Sequence, residues 1–271
     1  MTLSSTECDL EIDGLKLEGR WIGPGPRDAP TLVLLHEGLG SVGLWGDFPQ
    51  KLAAAIGCGV FAYSRAGYGR SDPVALPRPL SYMHDEARGA LPKILDAIGF
   101  RRGMIVGHSD GASIAVIYAG THDDRRLDGI VLMAPHVFTE DMGIASIAEA
   151  KRAYEEGDLK RKLARWHENV DCAFYGWNGA WLDPDFRKWN LTEFLPAIRT
   201  PVLIVQGEAD QYGTIAQVQA IETRCGGPVE TTMLPGVGHS PHREAPEAAL
   251  EAIRCFVRAH GQIPIKMSNS A

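Results

Sequence analysis

Cysteine, positive charge and long apolar runs are all scarce in this chain of 271 residues. The five cysteines are scattered and form no C-x-x-C pair, which favours free thiols in a reducing compartment. The formal net charge is −7 at pH 7, and no basic segment is interleaved with aromatic residues, so we expect no nucleic-acid partner. No apolar run reaches membrane-spanning length, and residues 1–13 lack the apolar core of a signal peptide. We therefore expect a cytoplasmic protein without a membrane partner.

Recognisable metal-binding patterns are also missing. The nine histidines include no H-x-x-x-H pair, so we expect no metal site, and nothing in the sequence calls for a cofactor. The remaining composition, 45% hydrophobic and 23% charged, is that of an ordinary globular protein. The expected partner is a small-molecule substrate, and the sequence leaves the oligomeric state open.

Short apolar runs alternate with segments of helical spacing along most of the chain. After an N-terminal hairpin that turns at Asp13-Gly14, strands are predicted at residues 31–35, 60–63, 104–106, 130–133, 202–205 and 229–233. Those at 31–35, 130–133 and 202–205 are predicted to be buried. Helices are predicted at residues 45–56, 84–98, 215–223 and 245–259. This alternation predicts an α/β fold, with a mostly parallel central sheet and helices on both faces.

Residues 136–195 interrupt the alternation and hold ten of the 21 aromatic residues. We predict that this segment, helical over 145–170, forms a cap over the carboxyl edge of a core made by residues 1–135 and 196–271. Phe138, Trp166 and Trp177 are the cap rings expected to reach a substrate pocket. Residues 261–271 are predicted to form a loose tail.

The strongest chemical signal is the segment VGHSDG at residues 106–111, between a predicted strand and the apolar helical segment 112–119. Gly-x-Ser-x-Gly at a strand-to-helix turn is typical of a nucleophile elbow. Its glycines let strand and helix approach closely, and the hydroxyl of Ser109 is left exposed. The N-terminus of the following helix presents N–H groups and positive dipole to a developing oxyanion. His108, beside the nucleophile, is expected to be a packed, hydrogen-bonded residue that points away from the cleft.

A serine nucleophile needs a base and a group that orients the base. Asp210 follows the strand at 202–205, and His239 follows the last strand, so both lie at strand ends near Ser109. Glu208 and Asp141 remain alternatives to Asp210 as the acid, and the alternative to His239 is a histidine three residues further on, at position 242.

These motifs together resemble those of the α/β-hydrolase-fold family over nearly the whole chain. The matching segments are HEGLGS at 36–41, the glycine-rich loop at 65–72, the elbow at 107–111, the acid loop at 207–210 and Gly-His at 238–239. The resemblance implies the α/β-hydrolase fold, with Ser109 as nucleophile, Asp210 as acid and His239 as base. It also implies an oxyanion hole made by the N–H groups of Asp110 and Gly38, with Leu39 as the alternative to Gly38.

One departure from the family pattern is Glu37, where the family commonly has glycine. Asp110 is a second acid at the expected oxyanion hole, and both side chains are expected to be solvated or paired with Arg65. Glu37 and Leu39 join the candidate pocket residues, and His36 is expected to brace the loop.

The sequence thus predicts a serine hydrolase that cleaves a carboxylic ester, or a related acyl bond, of a small and largely hydrophobic substrate. A carboxylesterase-like enzyme is the first expectation. A thioesterase or a C–C bond hydrolase using the same triad is the alternative enzyme. A non-catalytic, ligand-binding member of the fold is the alternative from a different class.

Overall fold

Eight strands form one sheet in the computed structural model, which describes residues 3–261. They are β1 (Ser5–Ile12), β2 (Leu15–Ile22), β3 (Thr31–Leu35), β4 (Gly59–Tyr63), β5 (Gly103–His108), β6 (Leu127–Met133), β7 (Val202–Gly207) and β8 (Val229–Leu234). Their spatial order is β1-β2-β4-β3-β5-β6-β7-β8. Only the pairs β1/β2 and β2/β4 of this described sheet are antiparallel, which confirms the mostly parallel sheet predicted from the sequence.

Helices connect the parallel strands. They are α1 (Phe48–Ile56), α2 (Tyr82–Asp85), α3 (Leu91–Ala97), α4 (Asp110–Thr121), α5 (Asp141–Glu155), α6 (Leu159–Leu163), α7 (Val170–Trp181), α8 (Ile215–Arg224), α9 (Pro241–Glu244) and α10 (Pro246–His260). A π-helical turn, Glu86–Ala90, joins α2 to α3. The predicted tail at 261–271 falls outside the described residues except for its first residue.

The central strands are covered on both faces. Along β3, Val33 and Leu35 belong to one buried cluster with the apolar residues of α3, α4 and α8, whereas Leu32 and Leu34 belong to a second cluster with those of α1 and α10. Successive side chains of a strand point to opposite faces, so a strand buried on both sides is apolar at every position. This explains the uninterrupted apolar runs in the sequence.

The segment between β6 and β7 differs from its prediction. A single helical region was expected over residues 145–170, but α5 ends at Glu155, and the short α6 is followed by a third helix, α7, which begins at Val170. The break lies at Gly157, whose backbone packs so closely against the last turn of α5 that a side chain there would contact Ala153. Asn169 starts α7 because its side chain accepts a hydrogen bond from the N–H of Cys172.

The carboxyl ends of the parallel strands lie at one edge of the sheet. β3 leads into residues 36–41, β5 into Ser109, β6 into His136, β7 into Asp210 and β8 into His239. Five segments that are far apart in sequence therefore meet at the edge where open α/β sheets bind ligands.

Candidate active site

Ser109 occupies a strained turn between β5 and α4. Its φ of 53° and ψ of −116° lie in a region that side-chain-bearing residues rarely adopt. A side chain at position 107 would overlap the carbonyl of Gly111, and one at position 111 would overlap the carbonyl of Leu35. Both glycines are therefore required by close backbone contacts. The turn holds the serine side chain at the carboxyl end of β5.

Among the three residues proposed from the sequence as a triad, His239 lies within hydrogen-bond distance of both Ser109 and Asp210. Ser109 Oγ is 2.9 Å from His239 Nε2, and His239 Nδ1 is 2.8 and 3.0 Å from the two carboxylate oxygens of Asp210. Asp210 accordingly holds the Nδ1–H tautomer of His239, which leaves Nε2 as an acceptor for the serine proton. This geometry is that of a nucleophile, a base and a group that orients the base.

Two further donors fix Asp210. The side-chain amide of Gln206 donates to Oδ2 at 2.9 Å, and the N–H of Tyr212 donates to Oδ1 at 2.8 Å. Burial raises the pKa of Asp210, but the hydrogen bonds from His239, Tyr212 and Gln206 outweigh it and lower the pKa to about 2. The carboxylate is therefore ionised at any pH near neutrality.

The alternative acids and base do not reach this site. The side chain of Glu208 is exposed to solvent, and that of Asp141 is exposed and pairs with Arg187. His242 is buried with Trp45 and does not touch the serine. The structure therefore places only the favoured combination of the sequence candidates at the elbow.

Two backbone N–H groups near Ser109 are available for an oxyanion. Asp110 is the first residue of α4, and Gly38 lies in the loop after β3. Within residues 3–261 neither N–H donates to a protein acceptor. A side chain at position 38 would overlap the indole of Trp177 from α7, so only glycine allows this ring to approach the loop. Both N–H groups border the cavity that also contains the serine hydroxyl.

The Asp110 side chain neither faces solvent nor bonds to Arg65, in contrast to the expectation. It is fully buried and accepts hydrogen bonds from the hydroxyl of Tyr82 at 2.5 Å and the indole N–H of Trp181 at 3.2 Å. Burial raises its pKa, against a smaller opposing effect of the nearby Arg65 guanidinium. Asp110 therefore joins the elbow helix to α2 and α7.

Glu37 also differs from the expected pairing with Arg65. Its carboxylate contacts Nδ1 of His108 at 3.4 Å and the guanidinium of Arg243 at 3.3 Å. Arg65 instead donates to the backbone carbonyls of His36 and Glu37. The imidazole of His36 contacts the Glu37 carbonyl through Nδ1 and accepts from the N–H of Arg65 through Nε2, so it holds the loop as expected.

A cavity of about 230 Å³ opens at Ser109. Of the predicted pocket residues, Glu37, Leu39 and Trp177 line it, and Phe138 and Trp166 do not. Phe138 pairs through its backbone with Asn190, in an isolated bridge within the cap segment. Trp166 is 44% exposed and lies over Gly43.

Three aromatic wall residues were missed by the sequence reasoning: His136, Trp181 and Tyr212. His136 and Tyr212 each follow a parallel strand by a few residues, and this position is a signal that could have indicated them. Trp181 ends α7, and helical periodicity alone does not tell which of several tryptophans on a helix faces the cavity.

Residues 3–261 contain neither a metal-binding cluster nor a membrane-spanning helix. No group of three or more His, Cys, Asp or Glu side chains there is arranged to hold a metal ion. None of the helices in the same part is long and apolar enough to cross a membrane.

Comparison with known proteins gives matches over most of the chain. A model described as the alpha/beta hydrolase family matches residues 32–253. A putative carbamate hydrolase, RutD, of Caulobacter sp. strain K31 is 27% identical over 91% of this chain and 96% of its own length. Epoxide hydrolase B of Mycobacterium tuberculosis is 30% identical over 45% of this chain, and the match spans only 34% of that protein. The solved structure of esterase RhEst1 from Rhodococcus sp. ECU1013 superposes with a TM-score of 0.69 at 22% identity, covering 96% of this chain and all of that one.

Proposed function

Because the chain belongs to the alpha/beta hydrolase family, we propose that it is a serine hydrolase that cleaves a carboxylic ester or a closely related acyl bond. The observation that supports this most directly is the continuous hydrogen-bonded series from Asp210 through His239 to Ser109, which ends at a cavity. The hydrolase relatives support the general class of reaction.

In the proposed mechanism, His239 takes the proton of Ser109 as Oγ attacks the carbonyl carbon. The resulting oxyanion accepts hydrogen bonds from the N–H groups of Gly38 and Asp110. His239 then protonates the leaving group, and an acyl-serine forms. Water, deprotonated by His239, releases the acid and restores the serine. Asp210 holds the imidazole and stabilises its charged form throughout.

The nucleophile favours acyl substrates over epoxides. Attack of a serine hydroxyl on an epoxide carbon would give an ether, which has no carbonyl for water to attack, so the enzyme would not turn over. An acyl-serine is an ester and is hydrolysed by the same base and the same oxyanion hole. This argument separates the present site from the activity named for the epoxide hydrolase relative.

The cavity walls favour a small, largely hydrophobic and neutral substrate. Trp177, Trp181, Tyr212 and Leu39 supply apolar surface, and burial of such surface contributes roughly 25 cal/mol per Å². Carbamates are the second candidate because the relative that matches over nearly its full length is a putative carbamate hydrolase. Cleavage of a thioester, cleavage of a C–C bond next to a ketone and a non-catalytic binding role are further candidates.

The test is labelling with a fluorophosphonate probe combined with a substrate panel. Wild type should be labelled and should hydrolyse neutral esters, whereas Ser109→Ala should fold, escape labelling and lose roughly 10³-fold or more in turnover. The panel contains esters, thioesters and carbamates with matched acyl groups, so that it ranks these substrate classes. An unlabelled wild type, or turnover by Ser109→Ala within a few-fold of wild type, would contradict the proposal.

A further inference from the structure

His136 is a largely buried residue whose imidazole opens on the cavity at Ser109. Its exposed fraction is 5%, and no other residue between 3 and 261 is hydrogen-bonded to its side chain. It lines the cavity at Ser109. Its ring centroid lies 5.4 Å from that of His239 and 5.5 Å from that of Trp181, and both of these residues line the same cavity.

Two other buried histidines near the site, His36 and His167, are satisfied within the protein. Both nitrogens of His36 contact backbone groups. Nδ1 of His167 accepts from the N–H of Gly69 at 2.9 Å, and Nε2 contacts the carbonyl of Leu39 at 3.0 Å. Neither nitrogen of His136 is among the fully enclosed, unpartnered polar atoms of residues 3–261, so both are accessible from the cavity, where a substrate group can satisfy them. His136 thus differs from these two histidines because its ring has no hydrogen-bond partner within residues 3–261, and this ring lines the cavity.

The backbone around His136 is held firmly. Its carbonyl accepts from the hydroxyl of Ser113 at 2.7 Å, and the next N–H, of Val137, donates to the buried side chain of Gln217 at 2.7 Å. Gly213 lies beside the ring, and a side chain at that position would contact its Cε1–Nδ1 edge. The backbone that carries the imidazole is therefore held in place, and residue 213 has no side chain to cover the Cε1–Nδ1 edge of the ring.

We propose that His136 is a specificity-determining residue that binds an uncharged oxygen group of the substrate, a hydroxyl or a ketone, close to the scissile carbonyl. The proposal rests on the proposed function and adds a substrate class to it. Burial and the neighbouring His239 lower the pKa of His136 to about 3, so the ring is neutral near pH 7 and offers one donor and one acceptor. A hydroxyl can use either.

A charged group is a poorer match for this position. The ionised Asp210 lies close enough to influence the titration of His136, and the carboxyl side chain of Glu140 belongs to the same cavity wall. These acids disfavour a substrate carboxylate beside the ring. A neutral ring gives no compensating charge for an ammonium group. An uncharged oxygen group satisfies the imidazole without placing a new charge in the cavity.

The experiment compares esters that differ only by a hydroxyl in place of a methyl group. One pair carries the difference in the acyl part, methyl 3-hydroxypropanoate against methyl butanoate, and the other in the alcohol part, 2-hydroxyethyl butanoate against propyl butanoate. In wild type, kcat/KM for the hydroxylated member of at least one pair should exceed that of its partner by roughly tenfold or more. The ratio does not depend on the fraction of folded enzyme.

Three variants assign the preference to a residue. His136→Phe should reduce the ratio to within about threefold of unity, and His136→Gln, which keeps a donor and an acceptor, should retain part of it. Tyr212→Phe is the matched control because its ring lies 4.6 Å from that of His239 and lines the same cavity. It should keep the preference.

The inference is overturned if neither pair shows a preference in wild type or if His136→Phe keeps the wild-type ratio. It is also overturned if Tyr212→Phe reduces the ratio as much as His136→Phe does. Absence of any ester hydrolysis would instead count against the proposed function. In that case dissociation constants of the same pairs, measured by tryptophan fluorescence on Ser109→Ala with and without His136→Phe, decide the inference independently. A hydroxyl preference in binding that His136→Phe removes supports it, and equal binding rejects it.

Discussion

Nε2 of His108 lies 2.7 Å from the backbone carbonyl oxygen of His239. On the other side of the same imidazole, Nδ1 faces the carboxylate of Glu37 at 3.4 Å. Glu37 immediately precedes Gly38, which supplies one proposed oxyanion donor. The buried His108 therefore connects the oxyanion loop to the proposed catalytic base, as the hydrogen-bonded residue expected from the sequence. It also lines the cavity, in contrast to the expectation that it points away from the cleft.

The first prediction concerns Glu37→Gln. Burial raises the pKa of Glu37, but the contacts with His108 and Arg243 lower it by more, so that the pKa lies well below its ordinary value. Glu37 is therefore a carboxylate, and its charge is balanced by these neighbours. Replacement by Gln should destabilise the fold by about 1.5–3 kcal/mol, because two charged or polar donors lose an ionised acceptor. It should also lower kcat/KM for a neutral ester by roughly tenfold, through displacement of Gly38.

Thermal unfolding and steady-state kinetics check this prediction. Glu208→Gln, at an exposed site near Asp210, is the control and should change neither the stability nor kcat/KM. Because the charge of Glu37 is balanced, its field should have little effect on anionic substrates. The ratio of rates for a neutral ester and its half-ester should therefore change by less than about threefold. A large change in that ratio with unchanged stability would show that the carboxylate acts on the substrate directly.

The second prediction concerns Asp210→Asn. Three donors, from His239, Gln206 and Tyr212, converge on the two oxygens of Asp210. An amide has only one oxygen, so its NH₂ group must face a donor or impose the wrong tautomer on His239. Turnover should fall by about 10⁴-fold while the fold is retained. Steady-state kinetics together with circular dichroism give the measurement, and a fall of less than tenfold would reject Asp210 as the orienting acid.

The third prediction concerns Gly38→Ala. The added methyl group would overlap the indole of Trp177, so either the ring or the oxyanion loop must shift. A shift of about 1 Å at a transition-state donor should lower kcat by roughly tenfold to a hundredfold, with a smaller effect on KM. A second variant, Gly38→Ala with Trp177→Leu, removes the clash and should recover part of the loss. Failure of the double variant to exceed the single one would argue against the clash as the cause.

The strand segments and the three candidate triad residues could be predicted from the sequence because their signals are local. Continuous apolar runs mark strands buried on both faces, and Ser109 and Asp210 each come just after such a run. His239 follows β8, which is partly exposed and mixed in composition. Strand ends of a parallel sheet share one edge, so position along the chain predicts proximity in space.

The cavity walls could not be predicted in the same way. Whether Trp166 or Trp181 faces the cavity depends on how three short helices pack, and Gly157 divides the segment where periodicity suggested continuity. One of the two partners of Asp110 is Trp181, 71 residues further along the chain, and no local pattern connects the two. No local pattern predicts that Glu37 pairs with Arg243, because the two residues are 206 positions apart. The sequence suggests the nearer Arg65 instead.

The last prediction concerns His242, which is buried against His108, Trp45 and Phe48 with ring centroids 4.8–5.5 Å away. Neither of its nitrogens has a hydrogen-bond partner among the described residues. Burial, together with the nearby His108, lowers its pKa well below the ordinary value. His242 therefore stays neutral in the folded protein at pH values where the unfolded chain binds a proton, below about 6.5. Because the unfolded state then holds the extra proton, the stability of wild type falls as the pH drops below that value.

His242→Phe removes both unpartnered nitrogens and the titration while keeping an aromatic ring in an aromatic cluster. At pH 7.5 the variant should be more stable than wild type by about 1–3 kcal/mol. Below pH 6.5 its advantage should grow by up to about 1.4 kcal/mol per pH unit, since only wild type loses stability through this residue.

Urea unfolding at pH 7.5 and 5.5 measures both effects, and kcat/KM should stay within about threefold of wild type. An advantage that is equal at the two pH values would mean that His242 binds protons equally in the folded and unfolded states. A variant less stable than wild type at pH 7.5 would mean that the two nitrogens are hydrogen-bonded to buried water.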